Sequence, residues 1–245
     1  MKNSPSPISL LRLFLLILGS VYSLEHTTKV DALRPVDKSL FVVFGRPGSG
    51  KTTVANKAFG ILSIEANNLS KKQTSVALDL DVCVTQLMRH NFGKGIYPTL
   101  EERKVFAIDA CDYVDDQLGK ICETEDGLEK ITAIISFSFV NTDLRDIFRS
   151  RFPEAEWVLI DTSEEECTKR INEREGHFYK GEIDAEESKT DGTDKSVTTD
   201  DGKDNSDWEF APVTFPHVVL NGLNAIEDNA QKISEKILEK TASKQ

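Results

Sequence analysis

Ser39-Leu-Phe-Val-Val-Phe-Gly45-Arg-Pro-Gly-Ser-Gly50-Lys51-Thr52 joins an apolar run of strand length to a glycine-rich turn. Residues 39–44 are rich in β-formers and show no polar alternation, as a strand buried on both faces requires. Residues 45–52 fit the spacing G-x-x-x-x-G-K-[ST]. The glycines let the backbone curl so that its N–H groups point inward, toward phosphate oxygens. The helix expected next offers its positive N-terminus to the same anion. Lys51 is then placed to reach the β- and γ-phosphates, and the Thr52 hydroxyl to ligate magnesium. Gly45, Arg46, Pro47, Gly48, Ser49, Gly50, Lys51, Thr52 and Thr53 are therefore the candidate nucleotide-binding residues, with ATP and Mg2+ as the expected ligands. A ligand-free glycine turn is the alternative, and the strand before and helix after weigh against it.

Outward from this turn, strand-like runs recur at 75–80, 131–137, 156–160 and 216–220. Helical stretches lie between them at 51–60, 82–91, 101–118, 143–151, 164–174 and 225–240. Strands alternating with helices predict an α/β fold, a parallel sheet covered by helices on both faces. Residues 181–206 break the rhythm with Asp, Glu, Ser, Thr, Gly and Lys, and read as a disordered acidic insertion within one domain. The expected organisation is a leader at 1–23, a polar lead-in at 24–37 and a single domain at 38–242.

Composition narrows the function classes. Of 245 residues, 39% are hydrophobic and 29% charged, enough apolar material to bury a core. The formal charge is −11, from 41 acids and 30 bases, which argues against a nucleic-acid partner gripped by the whole surface. Residues 180–209 hold 11 acids against 4 bases, so the negative charge is concentrated there. Lys2, a short apolar run at 8–18 and small residues up to Ser23 read as a secretory-type signal peptide, too short to span a bilayer. That points to the secretory pathway or an organelle reached through it. A start site further along would instead leave the chain cytoplasmic. Cys83, Cys111, Cys122 and Cys167 form no Cys-x-x-Cys pair, so zinc is not expected. Reduced, buried thiols are preferred to disulfides in a chain large enough to do without them.

Asp79-Leu-Asp81 closes the second predicted strand. Ligands of open α/β sheets bind beyond the carboxyl ends of strands, and residues two apart on an extended strand point to one side. Asp79 is expected to hold magnesium through water, and Asp81 to orient or deprotonate an acceptor hydroxyl. Helix capping is the competing reading. Arg170 and Arg174 are spaced i, i+4 on one helix face and are candidates to stabilise a transferring phosphoryl group when a lid closes. Their alternative role is to complement the helix C-terminus.

Taken together, these pieces resemble the gluconokinase branch of the small P-loop kinases, near shikimate kinase and the nucleoside monophosphate kinases. After the cradle and the Asp-x-Asp, the family has Gly-x-Gly-Ile-Pro-Leu and then Asp-Arg. Here Gly93-Lys-Gly-Ile-Tyr-Pro98 leads to Glu102-Arg103, with Phe106 at the family's tryptophan. Ser138-Phe-Val-Asn-Thr-Asp-Leu-Arg145-Asp146 resembles its Ser-Ala-Leu-Lys-Lys-x-Tyr-Arg-Asp, and Arg174-Glu-Gly-His-Phe178 its lid. The resemblance implies a three-layer sandwich around a five-stranded parallel sheet, a mobile lid, and ATP-dependent phosphorylation of a small polyhydroxy acid, gluconate first. Asp81, Arg103, Arg145 and His177 become the candidate acceptor-binding residues, and Lys51, Asp81, Arg170 and Arg174 the catalytic ones. A monomer or homodimer is implied. Val84-Thr85 replaces the family's His-Pro, and Asn141-Thr142 its paired lysines. These departures leave open a kinase of another acceptor, such as shikimate or a nucleoside monophosphate, and a non-catalytic ATP-binding module.

Overall fold

The computed structural model describes residues 36–69, 72–173 and 209–243. The expected leader, the acidic insertion, Arg174 and His177, and with them the expected lid, lie outside the described residues. Among those described, no helix is long and apolar enough to cross a membrane.

The chain runs β1 (Asp37–Phe44), α1 (Lys51–Leu69), β2 (Gln73–Asp79), a single 3-10 turn (Leu80–Cys83), α2 (Gln86–Phe92) and α3 (Leu100–Thr124). It continues through β3 (Lys130–Phe137), α4 (Thr142–Arg151), β4 (Glu156–Asp161), α5 (Glu164–Asn172), β5 (Val218–Asn221) and α6 (Ile226–Ser243). The five strands form one parallel sheet in the order β2-β3-β1-β4-β5, as expected of an α/β sandwich.

β1 is the central strand, and its alternating side chains feed two cores. Leu40, Val42 and Phe44 pack with Phe106 and Val114 of α3 and Leu144 and Phe148 of α4. Phe41 and Val43 pack with Val54 and Ala58 of α1 and Ile233 and Ile237 of α6. Each such fully buried side chain contributes about 1.5–3 kcal/mol. The arrangement explains why residues 39–44 are apolar at every position from Leu40 on. It also places the site. α1 leaves β1 toward one face and α4 leaves β3 toward the other, so a crevice opens at the carboxyl ends of these two adjacent strands.

Several boundaries differ from the sequence reading, with α1 running on to Leu69 and α3 to Thr124, and two of the differences have a local cause. β1 starts at Asp37, inside the stretch read as lead-in, because Asp37 pairs with Lys130 and its N–H donates to Glu129 O at 3.0 Å. The single helix expected over 82–91 is a 3-10 turn followed by α2. Thr85 ends the first by capping the second, its Oγ1 accepting Met88 N–H at 3.2 Å. A threonine hydroxyl serves a helix better at the N-cap than inside it.

α3 begins with a capping box, in which Thr99 N–H donates to Glu102 Oε2 at 2.7 Å and Glu102 N–H to Thr99 Oγ1 at 3.3 Å. Thr99→Ala is expected to lower stability by about 1 kcal/mol in urea denaturation. An unchanged midpoint would mean that the box does not hold the helix start.

Candidate functional site

The glycine-rich turn forms the floor of a cavity, contributing Pro47, Gly48, Gly50, Lys51, Thr52 and Thr53. Its shape needs glycine. Gly48 has φ +80°, and a Cβ there would stand 2.5 Å from Cys167 O of α5. A Cβ on Gly45 would stand 2.6 Å from Ile160 O. The turn is braced from behind. Ser49 O accepts from Thr162 Oγ1 at 3.3 Å and from Arg170 Nη1 at 3.4 Å. Lys51 is buried, and its Nζ donates to Arg46 O at 3.1 Å, inside the curl. A glycine cradle closed by a lysine, at the N-terminus of α1, fits a polyphosphate.

Thr52 lies beside Ser136 at the end of β3, their hydroxyls 3.4 Å apart. Thr52 is thus the residue here that would hold magnesium, with Ser136 beside it as a polar neighbour. Asp79 is placed otherwise than expected. It pairs with Ser136 in register, so β3 stands between it and β1. At about 4.8 Å per strand, that is about 10 Å across the sheet from the cradle's strand. Its Oδ1 accepts Asp81 N–H at 3.0 Å and so caps the 3-10 turn. The strand ends at Asp79, so the two carboxylates do not project from one extended face. The turn carries Asp81 to the cavity, whose lining includes Asp81 but not Asp79. Arg89 holds that turn, donating to Asp81 O and, at 3.1 Å, to Val84 O.

Arg103 reaches the cavity from α3. Its Nε donates to Asp143 Oδ2 at 2.9 Å, tying α3 to α4, and its Nη1 to Pro98 O at 3.0 Å. Arg145, the other expected acceptor anchor, does not line the cavity. It is 1% exposed and spends its guanidinium on four carbonyls: Phe139 O at 2.7 Å, Ala211 O at 2.8 Å, and Val140 O and Pro212 O at 3.0 Å. Burial lowers its pKa to about 10, against partial relief from Asp146, so it remains a cation at neutral pH. Its role is to clamp residues 139–140 to residues 211–212. Phe139 has φ 45°, rare for a residue with a Cβ, and the clamp holds it there.

Arg170 also differs from its expected role. Besides Ser49 O, it pairs through Nε with Glu166 at 2.9 Å and donates through Nη2 to Gly222 O at 3.2 Å. It braces the cradle from α5 and is not part of the cavity lining. All four cysteines are free thiols. Burial pushes Cys83 and Cys167 up, and Cys111 to about 12, so none of these supplies a thiolate at neutral pH.

Several residues of the site carried no signal in the sequence. Ser136 is hidden inside an apolar strand, and nothing in the sequence singled out Met88. Phe210 follows the acidic segment with no periodicity around it. It nevertheless stacks on Phe44 with centroids 6.3 Å apart, with the Arg46 and Arg145 guanidinium carbons 5.2 and 4.6 Å from its ring centroid.

Comparison with solved structures places the same fold elsewhere. A sugar kinase from Janibacter sp. HTCC2649 aligns at 19% identity over 81% of this chain and 92% of its own, with a TM-score of 0.54. The APS kinase of Mycobacterium tuberculosis, solved with AMPPNP and APS, aligns at 19% identity over 84% and 99%, with a TM-score of 0.51. No curated protein matches the sequence. Residues 40–193 match the AAA domain family, a span that includes the cradle, Asp81 and Arg103. The chain belongs to that AAA domain family, and its described residues carry the fold of the P-loop small-molecule kinases.

Proposed function

We propose that the protein transfers the γ-phosphoryl group of ATP to a hydroxyl of a small acceptor. The observation that carries this reading is that Asp81 shares one cavity with Lys51 and Thr52. A phosphate cradle and a carboxylate facing the same space are what in-line transfer between two oxygens needs. Asp81 accepts the proton of the acceptor hydroxyl, whose oxygen forms the new bond to the γ-phosphorus. The bond from that phosphorus to the bridging oxygen breaks, and ADP leaves. Lys51 neutralises charge on the β- and γ-phosphates. Thr52 would hold magnesium, which when bound spreads the charge of the phosphates. Arg170 acts at one remove, by keeping the cradle's backbone in place.

Gluconate heads the acceptors to test as the one the motif resemblance around Gly93, Arg103 and Ser138 implies. Arg103 supports an acid, because a guanidinium matches a carboxylate.

The experiment is ADP formation by the chain from residue 24 onward with magnesium. The acceptors are gluconate, shikimate, simple sugars and nucleoside monophosphates, with Lys51→Ala as the control. Acceptor-dependent turnover is expected, reduced about a hundredfold in the control by loss of charge stabilisation. Turnover untouched by Lys51→Ala would refute the assigned cradle. ATP binding without turnover on any acceptor would instead favour a non-catalytic nucleotide-binding module.

A further inference from the structure

The cavity has a second half, beyond the phosphate cradle, with a marked chemical character. One wall is Val84, Met88 and Phe92, next to the 3-10 turn and along α2. The lining also includes Phe137, Val140 and Leu144, with Phe106 tilted against Phe137 at 5.0 Å between centroids. Away from the cradle, the polar side chains in the described lining are Asp81, Arg103 and Ser138.

An open-chain sugar acid bears a hydroxyl on nearly every carbon. Asp81 serves the reacting one, Arg103 the carboxylate and Ser138 one more. Among the described residues, the remaining hydroxyls would face carbon. A hydroxyl set against an apolar wall without a partner lowers discrimination-relevant affinity by up to about a hundredfold. Arg103, with Nε and Nη1 engaged by Asp143 and Pro98, keeps an Nη2 with no protein acceptor among the described residues. The cavity thus supplies a carboxylate facing a hydroxyl, a guanidinium facing an anionic oxygen, and aromatic and aliphatic surface between them.

We infer that the acceptor is a small hydroxy acid with a compact apolar body, a ring or short hydrocarbon chain, rather than a polyol acid. The inference rests on the phosphotransfer reading and specifies its acceptor class.

The test is calorimetric titration of the full chain, with magnesium and a non-hydrolysable ATP analogue, using 4-(hydroxymethyl)benzoate and gluconate as probes. The aromatic acid is expected to bind at least about tenfold more tightly. Met88→Gln is expected to shrink that ratio. Met88 is half-buried, so the fold should tolerate the change, and Val84→Thr, which keeps the side chain's shape, is the second variant. Gluconate binding as tightly as the aromatic acid, no saturable binding of the aromatic acid, or a ratio unmoved by both variants would each overturn the inference. ADP formation separates this from the underlying reading. Turnover with gluconate alone overturns the acceptor class and retains phosphotransfer. Tight aromatic binding without turnover on any acceptor retains the ligand class and removes phosphotransfer.

Discussion

Asp81→Asn is expected to lower kcat by two to four orders of magnitude, about the range of one well-placed general base. The amide keeps the size of the side chain and loses its capacity to take a proton. The turn should keep its shape, because Asp81 contributes its own backbone N–H and C=O to the bonds with Asp79, Arg89 and Val84. Asp81 N–H donates to Asp79, and Asp81 O accepts from Arg89 and, at 3.2 Å, from Val84 N–H. The check is steady-state kinetics alongside circular dichroism and nucleotide binding. Retained turnover would remove Asp81 from the chemistry and leave it a positioning group. Asp79→Asn provides the contrast. Asp79 caps the turn from a strand one removed from the cradle's, and an asparagine caps nearly as well, so its loss of activity should be much smaller.

Arg145→Leu is expected to cost about 1–3 kcal/mol of stability in urea denaturation, the scale for leaving a buried carbonyl without its donor. Val140 O would keep a donor, since it also accepts Ala211 N–H at 3.0 Å. Phe139 O, which is buried, would lose its donor at the cost of an unpaired carbonyl, whereas Ala211 O and Pro212 O lie nearer solvent. Arg145→Lys should recover little, because one ammonium cannot reproduce a planar fork aimed at four oxygens. A loss below about 1 kcal/mol would mean that water replaces the guanidinium and that the clamp is dispensable. Because the clamp fixes residues 139–140, next to Ser138 and Val140 of the cavity, acceptor KM should rise in any variant that still folds.

The sequence was most legible where chemistry and local conformation coincide. Residues 45–52 need glycine for backbone shape and Lys51 and Thr52 for charge and metal, so spacing alone located the cradle. β1 and β3 were legible because an inner strand of a parallel sheet is buried on both faces, which writes unbroken apolar runs into the chain. Composition could not separate the roles of like residues. Arg103, Arg145 and Arg170 are all arginines near recognisable motifs, and only packing distinguishes them. Arg103 reaches the cavity, Arg145 is closed inside a ring of carbonyls, and Arg170 turns toward Ser49 and Gly222.

The sequence by itself determined the strand–turn–helix cradle and the alternation of elements around it, because both are set by neighbours along the chain. Tertiary structure alone decided which of two aspartates enters the cavity, since that depends on where β2 ends and a 3-10 turn begins. It also decided that Ser136 meets Thr52 and that Phe210 returns to pack between Arg46 and Arg145. It brought Val84, Met88, Phe92, Phe137 and Leu144 into one cavity with Asp81 and Arg103. Those contacts join residues far apart in the chain, and no local pattern records a distance that only the folded sheet creates.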